Sequence, residues 1–206
     1  IQEIQKIMKI QPTILCTSYF PPIQYFKYFT ISSNIFIEHK EYYKRHSIRN
    51  RTLILGPNNP LLLTVPIVNK HYSKTLIENV KIADSYWKKK HINSIQTAYG
   101  SSPYFIFYFD IIKKIILKKN SFLIDLNYDI LHFFLEELEM NTNTKKTDSY
   151  IELYENNILD QRNEINIKTK FKKYNQIFNK IFTPNLSILD LIFNLGPHAK
   201  EYIHEI

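Results

Sequence analysis

Apolar positions along the chain recur at two spacings. Residues 12–20, PTILCTSYF, are apolar almost without break and predict a buried strand to about Ser18. The next stretch, PPIQYFKYFTIS, changes period. Pro21 and Pro22 suit a first helical turn, and Ile23, Phe26, Phe29 and Ile31 then give an apolar face. NIFIEHKE (34–41) is a short strand ending in charge. RTLILGPNNPLLLTVPI (51–67) has two apolar runs around a Gly-Pro-Asn-Asn-Pro turn, the pattern of a hairpin or strand pair. ENVKIA (78–83) reads as a further strand. In SYWKKKHINSIQTAYG (85–100), Trp87, His91, Ile95, Ala98 and Tyr99 share one helical side, while Lys89, Lys90, Asn93, Gln96 and Thr97 share the other. Ser85 is its candidate N-cap and Gly100 its residue beyond the C-cap. SPYFIFYFDIIKKIILKK (102–119) and NYDILHFFLEELEM (127–140) predict two more helices, the second capped by Asn127. NTNTKKTDS (141–149) is polar and aperiodic, a loop. YIELY (150–154) reads as a late strand, and 185–203 as a helix, a Gly-Pro stop and a last helical turn or two.

Strands come first, with helices between and after them. That order predicts one α/β domain with a small mixed or mostly parallel sheet flanked by helices and a helical C-terminal part. Residues 10–84 are strand-rich, 85–140 helix-rich, 141–149 the polar loop, and 150–206 the C-terminal part. No internal repeat is visible.

Composition changes the picture in one respect. At 206 residues, 44% hydrophobic and 15% aromatic, the chain can bury a core and is not of the disordered class. It is rich in Ile, Lys, Asn, Tyr and Phe and poor in Gly and Arg, so lysine is the default surface cation. A net charge of +8 is therefore a weak pointer to a polyanion partner. Cys16 is the single cysteine, which excludes an intramolecular disulfide and a cysteine-based zinc cluster. No apolar stretch is long enough for a transmembrane helix, and the first residues lack the pattern of a signal peptide. A cytoplasmic protein is expected. The chain begins with Ile rather than Met, so a trimmed or misassigned start is expected.

Against this background the arginines stand out. Three of the four (Arg45, Arg49 and Arg51) fall within RHSIRNR, residues 45–51. A guanidinium grips phosphate or carboxylate through two bonds, and lysine cannot reproduce that geometry. Arg49 and Arg51 are thus candidate anion ligands, with Asn50 offering a donor and an acceptor. The alternative is an ion pair across adjacent strands to Glu38 or Glu41.

Four segments carry a family resemblance: YFPPIQYF (19–26), SIRNRTLILG with LLLTVPI after it, KKHINSIQTAYGSSPYF (89–105) and FTPNLSILDLIFNLG (182–196). In this order the chain resembles the WbqC-like family. The resemblance implies a role among O-antigen polysaccharide genes, with transfer of a group onto a sugar nucleotide as a suggested activity. Many members carry two aspartates after the second strand, where this chain has Glu38 and Glu41. Gln11-Pro12 takes the place of the family's Gln-Pro on the first strand.

The remaining candidates are weighed by surroundings. Glu38 and Glu41, three apart on an extended chain, face opposite sides and do not make a carboxylate pair. Glu38, nearer the strand, is the better base. His91 lies in an apolar stripe, where a histidine is more often core than catalyst. The resemblance keeps it as a candidate, and no partner histidine for a metal stands four residues on. Ser187 and Asp190 have capping-box spacing. Cys16 has no charged neighbour in sequence to activate it. Tyr19, at the strand-to-helix turn, could reach a ligand.

The expected function is a transferase on a phosphorylated carbohydrate precursor. Its partner would be a small anionic substrate such as a nucleotide sugar, and neither a cofactor nor a metal can be named from the residues. Glu38 or His91 would move the proton; Arg49, Asn50, Arg51 and Tyr19 would bind. The alternative is a basic RNA- or tRNA-binding module.

Overall fold

The computed structural model describes residues 11–68, 74–84, 86–155, 157–163, 165, 167–178 and 181–206. β1 (Thr13–Cys16) is buried along its whole length. It is one of two central strands in a four-stranded parallel sheet. β2 (Asn34–Glu38) pairs with β1 so that Cys16 sits beside Glu38. Between them runs α1 (Ile23–Ile31), whose Ile23, Tyr25, Phe26, Tyr28 and Phe29 are buried. A fully buried Phe such as Phe26 contributes about 2–3 kcal/mol by leaving water.

The expected hairpin forms apart from this sheet. β3 (Arg51–Leu55) and β4 (Pro60–Thr64) are antiparallel, with Leu55 opposite Pro60. Three helices follow: α2 (Trp87–Tyr99), α3 (Phe105–Leu117) and α4 (Leu123–Glu137). β5 (Asn143–Lys146) and β6 (Leu159–Gln161) then return to the two edges of the sheet. The C-terminal helices α5 (Ile188–Leu195) and α6 (Ala199–Glu205) close the core. At their junction Gly196 has φ +52°, and a Cβ there would lie 2.4 Å from the Tyr104 ring. Only glycine suits both demands. The fold is α/β with a mostly parallel sheet and a helical C-terminal part, as expected.

Several elements differ from expectation. ENVKIA is not a strand: Ile77–Asn79 is a single 3-10 turn, and Lys81 and Ile82 make only isolated bridges. α4 begins at Leu123, so Asn127 is an interior residue rather than its cap. Buried there, its Nδ2 donates to the Arg49 carbonyl at 2.8 Å. The polar loop contains edge strand β5, whose lysines suit an edge exposed to water. YIELY forms no strand; the last strand comes later, at β6. Gly100 has a right-handed φ of −56° rather than a left-handed one. Ser85 lies outside the described residues. Ser187 does cap α5, accepting from Leu189 N at 3.3 Å. Asp190 does not answer it, because the Ser187 N–H is taken by the Leu53 carbonyl.

Candidate anion-binding cleft

Strands β1, β2 and β6 are parallel and end side by side at Cys16, Glu38 and Gln161. Ligands of open parallel sheets collect beyond such ends. A cleft of about 680 Å³ lies here. The segment from Lys44 to Leu53 supplies one wall, and Gln161, Arg162, Asn163 and Ile165 another. Gln24, Asn185 and Ser187 complete it.

The carboxylates stand behind this wall, each already paired. The guanidinium of Arg49 donates Nε to Glu41 Oε1 at 2.7 Å and Nη2 to Oε2 at 2.5 Å, and Nη2 also donates to the Arg162 carbonyl. Both side chains are almost fully buried. Burial pushes the Glu41 carboxyl up, against the pull of Arg49. Glu38 accepts from Arg162 Nη1 at 2.9 Å, from Thr147 Oγ1 at 2.6 Å and from Lys40 N. Arg162 also forks onto Asp160 and lies between the rings of Tyr150 and Tyr154, 4.9 and 5.0 Å away. Burial opposes its charge, but Asp160 and Glu38 raise its pKa overall. Two of the four arginines therefore meet carboxylates through planar forks in a desolvated place, which lysine would do poorly.

Arg51 is different. It is half-buried, its side chain has no hydrogen-bond or ion-pair partner among the described residues, and its Nε is buried. Lys44, Arg45 and His46 are exposed on the same rim. The Lys44 ammonium donates to Asn163 Oδ1. Among the described residues no carboxylate lines the cleft; amides, hydroxyls and cations do. The backbone is strained around it. Phe20 (φ +39°), His46 (+56°) and Asn185 (+53°) are left-handed, and His46 and Asn185 line the cleft. Phe20 is held by its carbonyl, which accepts from Thr52 Oγ1 at 2.7 Å and Ser187 Oγ at 3.2 Å. Asn185 accepts from Gln24 N at 3.0 Å, capping α1 from outside that helix.

The expected site residues thus fall in different places. Arg49 and Arg51 line the cleft. Asn50 lies beside it, its Nδ2 donating to Val65 O at 2.8 Å and its buried Oδ1 without a partner among the described residues. Glu38 stands behind Arg162. Tyr19 and His91 are brought together in the core, Tyr19 Oη and His91 Nδ1 2.8 Å apart, away from the cleft. Burial lowers the His91 pKa to about 4 and keeps the ring neutral. Cys16 reaches the cleft floor, but burial pushes its thiol up to about 11, so it stays protonated. Arg45 and His46 stood in the arginine-rich run all along and could have been found there. Gln24, Asn163 and Asn185 carried no such signal, being ordinary amides in an Asn-rich chain.

Among the described residues no group of three or more His, Cys, Asp or Glu side chains is placed to hold a metal ion, and no helix is long and apolar enough to cross a membrane. Comparison with curated proteins and with solved structures gives no match. The model of the WbqC-like protein family matches residues 17–169 and 161–202, most of the chain and all of the cleft segments, and the chain belongs to that family.

Proposed function

We propose that the protein is a cytoplasmic group transferase acting on a phosphorylated carbohydrate precursor of O-antigen-type surface polysaccharide. Family membership supports the pathway, and the cleft supports the ligand class. One observation carries it: a cleft at the strand ends holds an unpartnered arginine beside amides and hydroxyls and no described carboxylate. Cations take the phosphate, and the amides and hydroxyls of Gln161, Asn163, Asn185, Ser47 and Thr52 suit a polyol. Arg51 is the phosphate ligand in this reading, and Arg49 adds the edge of its guanidinium that Glu41 leaves free. Glu38 acts at one remove by holding Arg162, whereas His91 and Tyr19 pair in the core. His46, exposed on the rim, is the titratable group placed to exchange a proton with a ligand.

Titration with glucose 1-phosphate tests this. Arg51→Ala should weaken binding about tenfold or more, since a hydrogen bond to a charged group is worth about 1.5–3 kcal/mol. The unfolding midpoint should stay in place, because the Arg51 side chain makes no hydrogen bond or ion pair among the described residues. Equal affinity in wild type and variant would remove the anion role. A steep salt dependence with a short structured RNA, and no sugar-phosphate binding, would point to a nucleic-acid partner instead.

A further inference from the structure

The β3–β4 hairpin turns one face toward the cleft, and that face is only partly polar. Side chains two apart on a strand share a face, so Leu53 lies beside Arg51, about 7 Å along β3. Leu62 stands directly opposite Leu53 on β4. All three residues line the cleft. Leu53 is 39% exposed and Leu62 50%, so both are open to whatever occupies it. Leu61, the residue before Leu62, belongs to the other face of the hairpin, opposite Ile54, and stands outside the cleft wall.

One ligand can therefore meet two chemistries side by side. Arg51, with Lys44, Arg45 and His46 on the same rim, calls for an anion. Beside it, Leu53 and Leu62 present hydrocarbon alone. A planar base laid on them would leave its ring donors and acceptors unmatched, whereas a hydrocarbon chain has none to match. We propose that the hairpin face seats a phosphate ester of a long-chain alcohol. The phosphate sits at Arg51, the first carbons of the chain cross Leu53 and Leu62, and the sugar lies among the amides of Gln161, Asn163 and Asn185. This rests on the function proposed above and adds the second arm of its phosphate: the precursor is carried on a lipid chain.

Isothermal titration of the full chain with ethyl phosphate, hexyl phosphate and glucose 1-phosphate tests it. A fully buried methylene tightens binding about fourfold, and one covered on a single side about twofold. Hexyl phosphate should therefore bind about tenfold or more tighter than ethyl phosphate. Replacing both leucines, Leu53→Thr with Leu62→Thr, keeps good strand formers at exposed positions. It should cut the hexyl gain to about threefold or less and leave ethyl phosphate unchanged. Leu61→Thr, on the other face, should keep the full gain. Decyl and geranyl phosphate, alike in carbon number, then separate a straight chain from an isoprenoid one by which binds more tightly. If glucose 1-phosphate binds but chain length adds nothing, or the gain survives the double change, the lipid arm is overturned and the proposed function stands. If none of the phosphate esters binds, the proposed function falls, and this inference with it.

Discussion

Arg49 and Arg51 are two residues apart and do opposite work. Arg49 is locked to Glu41 by two hydrogen bonds in a desolvated site, while the Arg51 guanidinium has no partner among the described residues. Removing Arg49 leaves a buried carboxylate uncompensated. Arg49→Ala should cost about 3–5 kcal/mol, measured by urea unfolding, whereas the double change Arg49→Met with Glu41→Leu should recover most of that. A cost below about 1 kcal/mol for the single change would show that water reaches Glu41. The scarcity of arginine led to a segment that walls the cleft, because a bidentate fork resists replacement wherever it is used. It could not say which arginine turns inward. Arg49 precedes β3 in irregular backbone, where no alternation rule assigns a face, and its partner Glu41 lies in another loop.

At the level of elements, the longer apolar periods were legible: β1, α1, β2, the hairpin, α2 and the C-terminal helices, whereas the short runs ENVKIA and YIELY misled. β5 and β6 were not. They are short edge strands, made strands by the neighbours they pair with rather than by their own composition. The start of α4 was misplaced for a related reason. Asn127 has the side chain of a cap, but the apolar residues Leu123, Ile124 and Leu126 before it are helical and buried. Its amide serves the Arg49 carbonyl and so ties α4 to the segment that builds the cleft wall. Asn127→Ala should therefore cost about 1–3 kcal/mol in urea unfolding, from a buried carbonyl left unpaired. The helical signal in circular dichroism should not change. A loss of helical signal, with α4 fraying at its start, would restore the capping role.

The whole molecule carries a pH dependence of stability. His91 and His39 are both pushed down to about 4 by burial, His39 against Tyr128 and His91 against Tyr19. In the unfolded chain both titrate near 6.5. Below that value the unfolded state gains protons that the folded state refuses. The stabilisation present above pH 6.5 is thus lost as pH falls toward 4, roughly a few kcal/mol in all. Asp190 has the opposite sign. Burial raises its pKa despite hydrogen bonds from Tyr174 and Gln176, so its contribution is lost as pH rises. Unfolding midpoints across pH 4 to 7 should fall on the acid side, and His91→Phe should flatten the curve. A wild-type midpoint constant over that range would mean the rings titrate normally in the folded protein.

The strand order β5-β2-β1-β6 has a consequence for how the chain is made. β1 pairs with β2 on one side within a few tens of residues, but its other edge waits for Leu159–Gln161. At about 5–20 residues per second, a ribosome needs roughly 7–30 s to reach that strand after β1 is made. For that interval the most buried strand of the finished sheet has an open edge of unpaired N–H and C=O groups, the template on which nascent chains stick to one another. The nascent chain is most exposed to misassembly before β6 is synthesised, and the cleft, walled by residues up to Ser187, cannot protect it with a ligand until Ser187 has been made.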